Sequence, residues 1–127
     1  MRRVLLALTL LPLLPSCAVL VGAAIGAGAL HATSEDTVEL LYRAPFGEVF
    51  DVCEAQLERA GEVTASDDLR GVLEGTADEA EVTITVDTTE QGYQRVRVKA
   101  RRLSGLSPDL DTATWLGTVI SRRLEEG

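Results

Sequence analysis

From Ala80 to Thr89 the chain alternates apolar and polar side chains, with Val82, Ile84 and Val86 on one side and Thr83, Thr85 and Asp87 on the other. Successive side chains of a strand point to opposite faces, so this spacing describes a strand with one face toward a core. After a reversal around Gln91-Gly92 the pattern resumes. Val96, Val98 and Ala100 point inward, and Arg95, Arg97, Lys99 and Arg101 point outward. Two such runs joined by a glycine-containing turn form a hairpin. A slip of one residue would carry every apolar side chain into water. The hairpin therefore has one register, and whatever else the chain builds must cover its apolar face.

The remaining elements supply both more sheet and the cover. Thr37–Arg43 is strand-like, with Val38, Leu40 and Tyr42 on one face. Pro45 then opens a helix, since its fixed φ suits a first turn, and Glu48 complements the positive end of the helix dipole. Phe46, Val49, Phe50, Cys53 and Leu57 recur at helical spacing as one apolar stripe, and Gly61 ends the helix. Glu62–Asp67 and Val72–Ala77 flank Asp68-Leu69-Arg70-Gly71, a turn composition that predicts a second hairpin. The final helix runs from about Pro108 to Glu125. Ser107 is the expected N-cap, and Leu116, Val119, Ile120 and Leu124 form the apolar face with Trp115 at its edge. The order β-α-β-β-β-β-α predicts an α+β fold: a two-layer sandwich in which two helices cover one face of a mainly antiparallel sheet of about five strands.

The first residues carry an address. Arg2 and Arg3 precede an uncharged apolar run, Val4 to Leu14, which has the length of a signal-peptide core and is too short for a mature membrane span. Leu14-Pro15-Ser16-Cys17 follows, and it resembles the lipobox of bacterial lipoproteins. In that motif the thiol takes a diacylglyceryl group, the small residue admits the peptidase, and cleavage exposes the cysteine amine. By this resemblance Ser16-Cys17 is the cleavage point and Cys17 the lipidated residue. The expected organisation is residues 1–16 as signal peptide, 17–34 as lipidated cysteine and tether, and 35–127 as the folded domain. Two or three acyl chains would make the anchor permanent, because each buried methylene contributes roughly 0.8 kcal/mol. Ala18 stands where Asp would signal inner-membrane retention in lipoproteins resembling the enteric ones, so the resemblance implies the outer membrane.

Ala18 to Leu30, AVLVGAAIGAGAL, is uncharged and too short to cross a bilayer. It is read first as a spacer, although the Gly22 and Gly26 pair also has the spacing at which helices approach closely in lipid. The mature chain as a whole is similar to a family of small bacterial lipoproteins of unknown function. The resemblance is carried by Ser16-Cys17, the GAAIGAGA tether, TVELLYRAPFGEVFDVCEAQLERAG, the VTITV strand and the closing helix. The family has no assigned activity, so the resemblance implies a place and a fold without implying a catalytic residue.

Charge and residue spacing then narrow the function. The 127-residue chain carries a formal net charge of −8, and removal of Arg2 and Arg3 makes the remainder more acidic still. Such a domain repels phosphate backbones, which argues against nucleic acid. Cys53 lies in the apolar stripe of the first helix with no histidine to activate it, and is expected to be a buried structural thiol. His31 is the only histidine and has no metal-ligand spacing around it, so it is expected to be a solvated linker residue. No phosphate-binding loop, metal motif or cofactor motif is present. The basic ladder Arg95, Arg97, Lys99 and Arg101 is the one candidate partner-binding feature, suited to an envelope protein or a polyanion. Its alternative is pairing across the sheet with acids such as Asp87 and Glu81. The expectation is a non-enzymatic envelope lipoprotein acting as an interaction or scaffold module. A carrier of lipid or another apolar ligand between sheet and helices is the second expectation, and it needs an internal cavity.

Overall fold

The strict alternation of the central hairpin becomes the middle of an antiparallel sheet. The computed structural model describes residues 30–126. The segment expected to be a signal peptide, Cys17, and the expected tether up to residue 29 lie outside the described residues. In chain order the elements are β1 (Leu30–Ala32), β2 (Thr37–Tyr42), α1 (Phe46–Ala60), β3 (Gly61–Asp67), β4 (Val72–Ala77), β5 (Ala80–Thr88), β6 (Gln94–Arg102), β7 (Ser107–Pro108) and α2 (Leu110–Glu126). The strands form one seven-stranded sheet in the order β1-β2-β6-β5-β4-β3, with β7 beside the end of β6. All pairs are antiparallel.

The expected two-layer α+β sandwich is the architecture found, with two more strands than the sequence predicts. Both additions are short. β1 falls in the stretch read as tether and pairs with β2 through Leu30↔Leu40 and Ala32↔Val38. It is held by Leu30, which packs on the core close to Gly117, where a side chain on the helix would collide with it. β7 pairs Pro108 with Arg101 and Ser107 with Arg102, beyond the point where β2 has ended. Ser107 therefore belongs to a strand and does not cap α2. Asp109 caps it instead: its carboxylate accepts the Thr112 amide at 3.1 Å and the Thr112 hydroxyl at 2.7 Å.

The apolar stripes meet as expected. Val49, Phe50, Cys53 and Leu57 of α1 are buried against β3, β4 and β5. Ala113, Leu116, Gly117, Ile120 and Leu124 of α2 are buried on the β1-β2-β6 side. Val119 differs from the expectation: it lies off this stripe, only partly buried, on the outer side of the helix layer. Val82, Ile84, Val86, Val96, Val98 and Ala100 fill the sheet's inner face with 2% exposure or less. Tyr42 closes one end by donating its hydroxyl to the Leu124 carbonyl at 2.7 Å.

Three turns set the sheet's ends. Asp67 Oδ1 accepts the amides of Leu69 and Arg70, both at 3.2 Å, which shapes the β3–β4 reversal. Gly92, at φ 90°, completes the β5–β6 reversal. Asp78 and Glu79 make a two-residue β4–β5 turn with φ of 50° and 65°, the left-handed geometry that hairpin turns require. Gly61 joins α1 to β3 without a loop. A Cβ there would lie 2.0 Å from the Thr76 carbonyl oxygen, so only glycine lets the two backbones approach.

Candidate interaction site

The basic ladder lies on the sheet face that the helices leave uncovered, as its alternation requires. Register then decides what it meets. Arg95 stands opposite Asp87 and makes a two-pronged contact with it, Nε to Oδ1 at 3.3 Å and Nη2 to Oδ2 at 2.6 Å. This partner pushes the Arg95 guanidinium's pKa upward. Arg97 stands opposite Glu39 and donates to it at 2.8 Å. Arg101 faces Glu81 in register, yet its side chain turns to the Asp36 carboxylate and to the Gly105 carbonyl at 2.7 Å. Lys99 makes no ion pair among the described residues. Three of the four ladder cations are thus neutralised within the domain, Arg95 by the expected Asp87 and Arg101 by Asp36 in place of Glu81. The most exposed of the three, Arg95–Asp87, contributes at most about 1 kcal/mol.

Asp36 is the strongest electrostatic feature of that face. The Thr37 hydroxyl donates to its Oδ1 at 2.7 Å, the Ser34 hydroxyl donates to the same oxygen at 2.9 Å, and Arg101 donates to Oδ2. The Thr37 contact is the largest influence. Burial opposes it, but the further bonds from Arg101 and Ser34 and the nearby Lys99 charge hold the carboxyl at about 2. The Asp36 carbonyl also accepts the Ala100 amide at 2.9 Å. The residue therefore locks the start of β2 to β6.

Cys53 and His31 fall on opposite sides of the sheet. Cys53 is fully buried beneath α1, and desolvation pushes its thiol up to about 12. A thiol so placed stays protonated and is a poor nucleophile. The His31 side chain is 61% exposed on edge strand β1, with Nε2 3.9 Å from Glu39 on the open face. No three His, Cys, Asp or Glu side chains among the described residues gather as a metal site would. Cys17 and Ser16 lie outside the described residues.

The outer side of the helix layer carries a different feature. α1 and α2 run antiparallel, and two adjoining clefts lie along them. The first, of about 340 Å3, is lined by Gln56, Arg59, Ala60, Trp115, Val119, Arg122, Arg123 and Glu126. The second, of about 590 Å3, is lined by Ala60, Asp78, Arg102, Asp109, Asp111, Thr112 and Trp115. Ala60 and Trp115 line both, so the two form one groove. Trp115 is 51% exposed at its centre, an unusual position for the chain's only tryptophan. Gln56 is 6% exposed, and its side-chain amide has no hydrogen-bond partner among the described residues. A buried amide without a partner costs about 1–3 kcal/mol, so one that borders a groove points to something arriving there.

The groove's ends differ in sign. Arg59 and Arg122 have no acidic partner among the described residues, while Arg123 reaches Glu126 at 3.1 Å. At the other end Arg102 binds Asp78 at 3.0 Å and also Asp109. Burial alone would raise the Asp109 carboxyl, but the Thr112 hydroxyl and amide and the Arg102 charge outweigh it and hold the group below the usual carboxylate range. Asp111 stays free among the described residues. Sequence reasoning places Trp115 at the edge of an apolar face but assigns nothing to it. It misses Gln56 altogether, although as the one amide on the stripe of Cys53 and Leu57 that residue carries a visible signal. Between sheet and helices, where an apolar ligand is one expectation, the described side chains interdigitate as a core. The chain matches no protein-family model and no curated protein sequence.

Proposed function

We propose that this chain is an exported bacterial envelope lipoprotein, held on a membrane by acyl chains on Cys17, whose α+β domain is a non-enzymatic interaction module. The observation that carries the anchor is Leu14-Pro15-Ser16-Cys17 directly behind a basic start and an apolar run. Its resemblance to the lipobox supports the same address. Ala18 favours the outer membrane, facing the periplasm.

The domain supports the second half of the reading. Its one buried thiol is insulated from its one histidine by the sheet, which removes the obvious nucleophile–base pair. Three of its four ladder cations, Arg95, Arg97 and Arg101, are taken up by intramolecular pairs, which leaves the ladder less suited to capturing a partner. The groove across α1 and α2, with a half-exposed tryptophan and an unpaired amide, is the surface left for a partner. Residues 18–29 can extend to at most about 40 Å at roughly 3.3–3.6 Å per residue, so the module works close to its membrane. Growth of an expressing bacterium with radiolabelled palmitate tests the anchor. The wild-type chain takes up label and the Cys17→Ser chain takes up none; equal labelling of both, or label in neither, contradicts the reading.

A further inference from the structure

The groove between α1 and α2 reads as positive, aromatic and negative along its length. Arg122 stands toward one end, Arg59 and Trp115 near the middle, and Asp111 at the other end, with none of the three charged groups paired among the described residues. We propose that this groove binds an extended peptide segment of a partner protein, carrying acidic residues toward Arg59 and Arg122, an apolar side chain on Trp115, and a basic residue toward Asp111. This rests on reading the domain as an interaction module, and it names the partner's chemistry.

Each element of the site fits such a segment. Gln56 offers one carbonyl and one amide group, which match the N–H and C=O of a peptide unit and would end its unpaired state. Trp115 supplies a large rigid contact of the kind that dominates binding energy at interfaces. Asp111 and Arg122 are separated along α2 by roughly 16 Å at 1.5 Å per residue. About five residues of extended chain cover that span. A phosphate-bearing or uniformly acidic polymer would suit the arginine end and be repelled at Asp111. A second copy of this domain has the right charges under a two-fold axis, but it would set one concave groove against another and leave the space between them unfilled.

The test uses full-length protein in detergent micelles and the emission of Trp115, the chain's only tryptophan. The probe is the blocked hexapeptide Lys-Ser-Leu-Ser-Glu-Glu. Its control, Glu-Lys-Glu-Ser-Leu-Ser, has the same composition with the charges interleaved. The probe is expected to change emission saturably and to bind at least fivefold more tightly than the control. The Arg59→Glu, Arg122→Glu double variant should weaken binding at least tenfold. Gln56→Leu keeps the apolar stripe and guards against misfolding: it should raise the thermal midpoint of the free protein and still weaken peptide binding several-fold. An unsaturable response, equal affinity for probe and control, or unchanged binding by Gln56→Leu overturns the proposal. An emission change that follows protein concentration without peptide also overturns it, in favour of a second copy. None of these results depends on acylation, so a failure of peptide binding is distinguishable from a failure of palmitate labelling at Cys17.

Discussion

Asp36 gathers several of the polar contacts that tie β2 to β6. Three donors converge on its carboxylate while its carbonyl pairs with Ala100, so the carboxyl's pKa is held lower in the folded state than in the unfolded chain. A carboxyl lowered from 3.8 to about 2 stabilises the fold by an amount fully present above pH 4 and lost as pH falls through about 2. At 1.36 kcal/mol per unit this is on the order of 2 kcal/mol. Asp36→Asn is expected to reduce stability in urea by about that much at pH 7, and the gap between the two proteins should narrow as pH falls from 4 to 2. A gap independent of pH would assign the residue's effect to packing. Cys53 gives a second prediction at this scale. Its buried, protonated thiol should resist iodoacetamide in the native protein and react only after denaturation; rapid native alkylation would place it elsewhere.

Helices and hairpins are legible in the sequence because their signals are local. The stripe from Phe46 to Leu57 marks α1, and Pro45 and Gly61 bound it. The β5–β6 alternation marks both strands and their faces. β1 and β7 are not legible, because strands this short have no periodicity of their own and exist only through the neighbours that pair with them. The start of α2 shows the same limit. Ser107 and Asp109 are both capping residues flanking Pro108, and the choice falls to Asp109 because its amide donates to the Ala100 carbonyl at 3.0 Å, a partner distant in sequence. Two substitutions test the elements' joints. Glu79 holds a left-handed φ of 65° that a side chain resists, so Glu79→Gly should raise stability by about 1 kcal/mol. Gly61→Ala should lower it by about 3 kcal/mol, because its methyl group would part β3 from β4. Thermal melts of both variants give the signs directly.

At the scale of the whole molecule, the sandwich leaves two surfaces to water and treats them differently. The open sheet face is charge-matched by register: Arg97 meets Glu39 and Arg95 meets Asp87. The alternation in β6 announces the cations, but their partners depend on which strand becomes β6's neighbour. The helix face is less legible still. Trp115, Gln56, Arg59 and Arg122 form a groove only because α1 and α2 dock antiparallel, and no local pattern in either helix encodes that docking. The proposal that this domain is attached to a membrane rests on the sequence alone. Intact mass spectrometry of the membrane-fraction protein tests it most directly. The wild-type chain should begin at Cys17 and carry a diacylglyceryl adduct, and the Cys17→Ser chain should lack both. A full-length, unmodified wild-type chain would contradict the lipoprotein reading.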